Sequence, residues 1–414
     1  MLTKYKGSEL FVENISITKL VKKYNTPLYI YSQTKIEDNF KAYKDGFKGI
    51  SNIVCYAMKA NSNHTILKLL SKLGCGADIV SGGELYRALK AGIKPQKIVY
   101  SGVGKTSKEI EYALKSNILM FNVESFEELE QINKIAGKLK IKAKISFRVN
   151  PDVDVHTHKY ITTGKKGNKF GIPYEDAFDF YIKASKMKNI EIAGIDSHIG
   201  SQLLEVKPYN IAALRISKLI DKLEESGIKI KYIDIGGGLG IKYTSSDKPQ
   251  TPEQLKKAVM SIYSKYKDKT IIIEPGRSII GDAGILTGQV IYKKNSGTKN
   301  FIITDIAMTD LIRPALYEAY HEILPVKKTN KKQIIADIVG PVCESSDFIA
   351  KDRKISSLER NDFISVECAG AYGISMASQY NSRLIGAELL VKGSKVKVIR
   401  KADKKEDLIS KEVK

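Results

Sequence analysis

The chain has 414 residues and a hydrophobic fraction of 43%, enough for two domains with a large core, while no apolar run approaches the ~20 residues of a membrane helix. Four cysteines, Cys55, Cys75, Cys343 and Cys368, do not make a disulfide framework in so long a chain, and the opening MLTKYKGSELFVEN has no apolar signal core, so a reduced, cytoplasmic protein is expected. The formal charge of +22 is mostly lysine spread through stretches such as KKAVMSIYSKYKDK (256–269), not an arginine-rich arm, so a solvated surface rather than a nucleic-acid partner is expected.

A strand-like piece, TPLYIYS (26–32), comes first; whether it pairs with a later part of the chain is open from sequence alone. Then short apolar, β-branched runs recur: NIVCYAMKA (52–60), GADIVS (76–81), KIVYSGV (97–103), ILMFNVES (118–125), KAKISFRVN (142–150), IAGIDSHIGS (192–201), KYIDIGGG (231–238) and TIIIEPGRS (270–278). Amphipathic stretches such as HTILKLLSKL (64–73) and SFEELEQINKIAGKL (125–139) lie between them. Eight strands alternating with helices predict a (β/α)8 barrel over 36–278 in preference to an open doubly wound sheet. From about residue 280 the pattern turns to strands and turns, as in GILTGQVIYKKNSGTKNFIITDI, predicting a β-rich domain over 279–414.

A barrel of this kind carries its functional groups at the C-terminal ends of its strands. Lys59 ends the first strand, and a desolvated amine there must be paired, exposed or chemically used. Asp78 sits late in the second strand. The sixth ends in HIGS (198–201), the seventh in GGGLG (236–240), the eighth in EPGR (274–277). GGGLG departs from G-x-G-x-x-G, because Ile241 stands at the third glycine position. Beside Gly200, Ser201 and Gly276, however, the backbone of Gly237 and Gly238 reads as an anion cup. GVGKTS (102–107) only imitates a phosphate-binding loop, since Val99 occupies the required first glycine; residues 104–107 read as a loop and helix start.

An amine, an anion cup, a histidine and a glutamate on one barrel mouth point to pyridoxal 5'-phosphate. Lys59 would hold the cofactor as an imine, Glu274 would pair with the ring nitrogen and keep it protonated, and His198 would lie on the ring face. Further on, Arg313 and Tyr317 stand four apart and Pro314 places Arg313 at a helix start; together they suit a carboxylate. Cys343 could donate a proton, or be a small core residue, and Glu344 could bind an ammonium. Tyr372, between the glycines of GAYG (370–373), suits a phosphate or a substrate group. The HTH at 156–158 lacks a third ligand and reads as a polar loop, and no metal is expected.

YAMKAN, GCGADIVSGGEL, NKFGI, DSHIGSQ, DIGGGLG, EPGRSII, DLIRPALY, GPVCESSDFIAKDR and CAGAYGISMASQYNSR together resemble the diaminopimelate decarboxylases, fold-type III pyridoxal phosphate enzymes of the alanine racemase-like class. The resemblance runs from about residue 25 to 410. It implies that residues 1–35 join the C-terminal β-rich domain and that the chain forms a homodimer with active sites at the subunit interface. It implies that Lys59 carries the cofactor, His198 stacks on its ring, and Ser201, Gly238, Gly276 and Tyr372 contact its phosphate side. Glu274 would face the ring nitrogen. Arg277, Arg313, Tyr317 and Glu344 would contact the substrate, and Cys343 would be the proton donor, supplied with Glu344 by the neighbouring subunit. Small departures are Met58 for leucine, Ser62 for proline and a basic character in 154–168. The implied reaction turns meso-2,6-diaminopimelate into L-lysine and CO2. Its far end is itself an amino acid, which wants a cation for the carboxylate and an anion for the ammonium. A relative acting on ornithine, arginine or carboxynorspermidine is the nearest alternative, and a non-catalytic pyridoxal phosphate-binding protein the alternative of another class.

Overall fold

The eight apolar runs become eight strands: β1 (Asn52–Ala57), β2 (Gly76–Ile79), β3 (Ile98–Tyr100), β4 (Met120–Val123), β5 (Ala143–Asn150), β6 (Ile190–Asp196), β7 (Tyr232–Asp234) and β8 (Thr270–Ile273). In the computed structural model, which describes residues 2–153 and 169–413, they are all parallel and pair in chain order. Ile271 of β8 lies opposite Asn52 of β1, which closes the barrel. His156, His158 and the basic stretch 154–168 lie outside the described residues. β2, β3 and β4 are buried along their whole length. A parallel strand with side chains in the barrel on one face and helices on the other has no solvent face, which is why these runs are continuously apolar rather than alternating.

The loops at the C-terminal ends of the strands end in helix caps. Asn63, Ser81, Thr106, Ser125 and Thr251 each accept a backbone N–H of the first turn of helices α1 (His64–Lys72), α2 (Gly82–Lys90), α3 (Ser107–Lys115), α4 (Phe126–Leu139) and α7 (Pro252–Tyr263); α5 (Tyr174–Ser185) and α6 (Lys207–Glu225) complete the set. Each such cap is worth about 1 kcal/mol and sets where the loop stops. The phosphate-loop imitation resolves in these terms. Thr106 forms a capping box with Glu109, and Lys105 is buried, its Nζ donating to the carbonyls of Gly102 and Asn122 and to Glu128 Oε1 at 2.7 Å.

Of the described residues, the barrel unit comprises 40–153, 169–240 and 248–278, and a second unit comprises 2–39, 241–247 and 279–413. The second unit is built on a mixed sheet. Its strand Leu28–Ser32, the early strand-like piece, pairs antiparallel with Gly284–Asn295 and parallel with Ala387–Lys392. Ile30 lies between Ile285 and Leu389. Helix Ile17–Tyr24 adds Ile17, Leu20 and Val21 to the same core, the i, i+3, i+4 spacing that puts one face inward. Among the described residues no helix is long and apolar enough to cross a membrane.

Candidate active site

Lys59 does not extend β1. It stands in a 3-10 turn, Met58–Ala60, whose flanking residues are buried while Lys59 itself reaches outward. Its Nζ lies 2.8 Å from Asp78 Oδ2; the lysine side chain is 39% exposed and the aspartate side chain 0%. The amine is therefore both paired and accessible, seated on a buried carboxylate at the end of β2. Asp78 Oδ1 has no hydrogen-bond partner among the described residues.

The ends of β6, β7 and β8 supply three more buried carboxylates, Asp196, Asp234 and Glu274, with oxygens within 4.8 Å of one another. At that spacing each ionised acid disfavours ionisation of the next, and a cation between them would be favoured. Burial pushes Glu274 well above the usual carboxylate range, and the charges of Asp234, Asp78 and Asp196 add to it. Asp196 is raised by burial and then by Asp234. Asp234 is raised to about 7, by burial first, with the Gly236 N–H pulling it down and Asp78 pushing it up. Glu274 accepts a long hydrogen bond from Asn122 Nδ2, 3.4 Å to Oε1, and Ser146 Oγ donates to Asn122 Oδ1 at 2.6 Å.

The glycine run shapes the neighbouring wall. A Cβ on Gly237 would meet the Glu274 carbonyl at 2.0 Å, and Gly238, at φ +105°, would place one 2.2 Å from the Gly200 carbonyl. Only glycine permits that approach. The Gly237 N–H donates to His198 Nδ1 at 3.1 Å, so that nitrogen carries no proton. Burial, Arg148 and Lys59 all hold the His198 imidazole well below its ordinary range. Its flat neutral ring is thus fixed by backbone. Arg277 opens the short helix Arg277–Ile280 and its Nη2 donates to Ser201 Oγ at 3.1 Å. Gly276 packs over Ala57 and Ala60. The expected residues Lys59, Asp78, His198, Ser201, Gly237, Gly238, Glu274, Gly276 and Arg277 all lie at this one end of the barrel.

Cofactor fit can be tested on the carboxylates. Asp78 Oδ1, Asp196 Oδ1 and Asp234 Oδ2 are buried acceptors with no hydrogen-bond partner among the described residues. An excess of buried acceptors calls for a positive charge or a donor. A protonated ring nitrogen against Glu274 would bring such a charge into the carboxylate cluster, and Lys59 would supply the amine for attachment, so the residues fit pyridoxal phosphate.

The second unit holds the remaining expected residues. Arg313 is buried at the start of the helix Arg313–Tyr317, as Pro314 requires, with the half-buried Tyr317 at its other end. Cys343 is exposed, which removes the reading of it as a small core residue, and its N–H donates to Asn381 Oδ1 at 2.7 Å. Glu344 beside it is also exposed. Tyr372 has φ +57°, a left-handed backbone uncommon for a tyrosine. Sequence reasoning missed Asn122, Asp196, Asp234 and the buried pair Arg148–Glu124 (3.4 Å). Their signal was a polar residue in or just after an otherwise apolar strand, as in MFNV, AGID and YID.

Comparison with known proteins places this geometry. The family model of the pyridoxal-dependent decarboxylase, pyridoxal binding domain, matches residues 33–281. A diaminopimelate decarboxylase of Aquifex aeolicus is 52% identical over 96% of this chain and 94% of its own. The crystal structure of diaminopimelate decarboxylase from Helicobacter pylori complexed with L-lysine superposes with a TM-score of 0.91 at 46% identity, covering 95% of this chain and 98% of that one. The enzyme from M. jannaschii, also solved with L-lysine, gives 0.95 at 39% identity over 100% and 98%. With a matching family model and relatives of this identity over nearly the whole chain, the chain belongs to the diaminopimelate decarboxylase family of pyridoxal-dependent decarboxylases.

Proposed function

We propose that the chain decarboxylates meso-2,6-diaminopimelate to L-lysine and CO2 with pyridoxal 5'-phosphate, as a cytoplasmic homodimer whose subunits share their active sites. The observation that carries the cofactor chemistry is the Lys59 amine held 2.8 Å from buried Asp78 at the same barrel end as Glu274. The substrate rests on the relatives' names and on the residues available for an amino-acid far end.

When bound, the cofactor supplies an electron sink for the pair left on Cα as CO2 departs. The chain does the rest. Lys59 provides the attachment amine, and Asp78 keeps it oriented. Glu274 stabilises positive charge on the ring nitrogen, the electrostatic part of the rate enhancement. His198 lies flat because Gly237 holds Nδ1. Gly238, Gly276, Ser201 and Tyr372 contact the phosphate side. Arg277, Arg313 and Tyr317 take the substrate's carboxylate groups and Glu344 its far ammonium. Cys343, with Glu344 contributed by the neighbouring subunit, gives its proton to Cα once the carboxylate has left.

The test is lysine and CO2 production by purified protein with pyridoxal phosphate, on meso-diaminopimelate beside ornithine, arginine and carboxynorspermidine. Turnover confined to diaminopimelate is expected. Turnover of another of these substrates overturns the far-end assignment of Arg313 and Glu344. Bound cofactor without any turnover overturns the enzyme reading itself.

A further inference from the structure

Arg313 is held by more than its helix. Its Nη1 donates to Tyr243 Oη at 2.9 Å and is 2.8 Å from His321 Nε2. His321 is completely buried, and its Nδ1 lies 2.8 Å from the Glu367 carbonyl. The chemistry of these partners fixes the ring's proton. A guanidinium has only donors, so Nε2 must accept; a carbonyl only accepts, so Nδ1 must donate. His321 is therefore a neutral ring with its proton on Nδ1. The two N–H groups of Nη1 are committed, one to the tyrosine hydroxyl and one to the imidazole. The guanidinium is planar, so fixing one nitrogen fixes the orientation of the whole fork. The Tyr243 ring completes the seat, with Arg313 Cζ 4.8 Å from its centroid and the His321 ring edge-on at 5.3 Å.

We infer that His321 is a positioning residue for substrate recognition: its Nε2 lone pair holds Arg313 in the orientation that receives the substrate's far carboxylate. This rests on the reading of Arg313 as a carboxylate contact. Arg313 starts a five-residue helix, too short to orient a long side chain through its own backbone. A bidentate carboxylate contact demands that the fork be held in advance.

The two ring nitrogens can be tested separately. Glutamine carries an acceptor near the Nε2 position, while asparagine carries a donor near Nδ1 and nothing for Arg313. In the holoenzyme, His321→Asn is expected to raise KM for meso-diaminopimelate by about tenfold, the loss of one charge-assisted hydrogen bond, with a smaller change in kcat. The inhibition constant of L-lysine, which keeps the carboxylate, should rise in parallel. That of cadaverine, which lacks it, should not. His321→Gln should raise KM at least about threefold less than His321→Asn. Equal KM values for the two variants, or a cadaverine effect as large as that of lysine, overturn the inference. Arg313→Lys separates the two layers. If it raises KM while the histidine variants behave alike, only the role of His321 falls; if it leaves KM and lysine inhibition unchanged, the carboxylate reading of Arg313 falls and the inference with it. The unmutated protein gives a further readout: the nitrogen spectrum of histidine-labelled holoenzyme should contain a neutral ring protonated on Nδ1, and its absence overturns the assignment.

Discussion

At the scale of single residues, the barrel end is a problem in charge. Asp78, Asp196, Asp234 and Glu274 are all buried, and Lys59 neutralises one of them. Burial and mutual repulsion raise the other three above the usual carboxylate range, so a positive ring nitrogen beside Glu274 would favour its ionised form, which is the role proposed for it. Glu274→Gln keeps the shape and removes the charge. It should lower kcat by about a hundredfold or more, with a much smaller loss of cofactor affinity. Stopped-flow turnover and cofactor titration separate the two, and the reverse pattern would remove Glu274 from the chemistry. The same cluster makes the cofactor-free protein pH-sensitive. Asp234 has its folded pKa raised to about 7, whereas an unfolded aspartate titrates near ~3.9. The folded state therefore holds more protons across that interval, and stability must fall as pH rises through it. The contribution is complete below the unfolded value and lost by about 7. Denaturant unfolding of the cofactor-free protein should show this decline between pH 4 and 7, and Asp234→Asn should flatten it. An unchanged slope in the variant would mean that Asp234 titrates normally.

At the scale of elements, the strand Leu28–Ser32 organises the second unit from the far end of the sequence. Ile30 is fully buried between Ile285 and Leu389 on strands more than 250 residues away. Ile30→Ala should cost about 2–5 kcal/mol, read as a lower midpoint in denaturant; a loss under about 1 kcal/mol would mean the core repacks there. This pairing shows where sequence reading stops. TPLYIYS announced a strand through its β-branched and aromatic content, but the register with Ala387–Lys392 depends on a partner that nothing local names. The barrel was legible because its βα units are local, each strand being followed by its helix within a few tens of residues. The barrel's candidate site groups were legible for the same reason, standing at strand ends. Asn122, Asp196 and Asp234 were not, because a polar residue inside an apolar strand shows its role only when the closed barrel brings it to Glu274. His321 was hidden differently. YHEI looks like an ordinary polar stretch until Arg313, Tyr243 and the Glu367 carbonyl meet around the ring.

At the scale of the whole molecule, the proposed function distributes one reaction over two subunits. Lys59 belongs to the barrel unit and Cys343 to the β-rich unit. Cys343 is exposed, and a thiol kept for packing would be buried. If it serves the barrel of a neighbouring chain, inactive homodimers should complement each other. Lys59→Ala removes the amine and Cys343→Ala the proton donor, so each variant alone should be close to inactive. When the two are unfolded together and refolded, or exchanged by dilution, random pairing makes half of the dimers mixed. In a symmetric dimer each mixed pair has one site with both defects and one with neither, so activity should recover to about a quarter of the unmutated value. Recovery needs no new contact within either chain, only the assortment of complete sites. If Cys343 acts within its own subunit, every site in the mixture carries one defect and activity stays at the level of the separate variants. Native mass spectrometry of the mixture, with one variant isotope-labelled, excludes the trivial case in which no exchange has taken place. The size of the recovery therefore reports directly whether the exposed thiol is a partner's catalytic group.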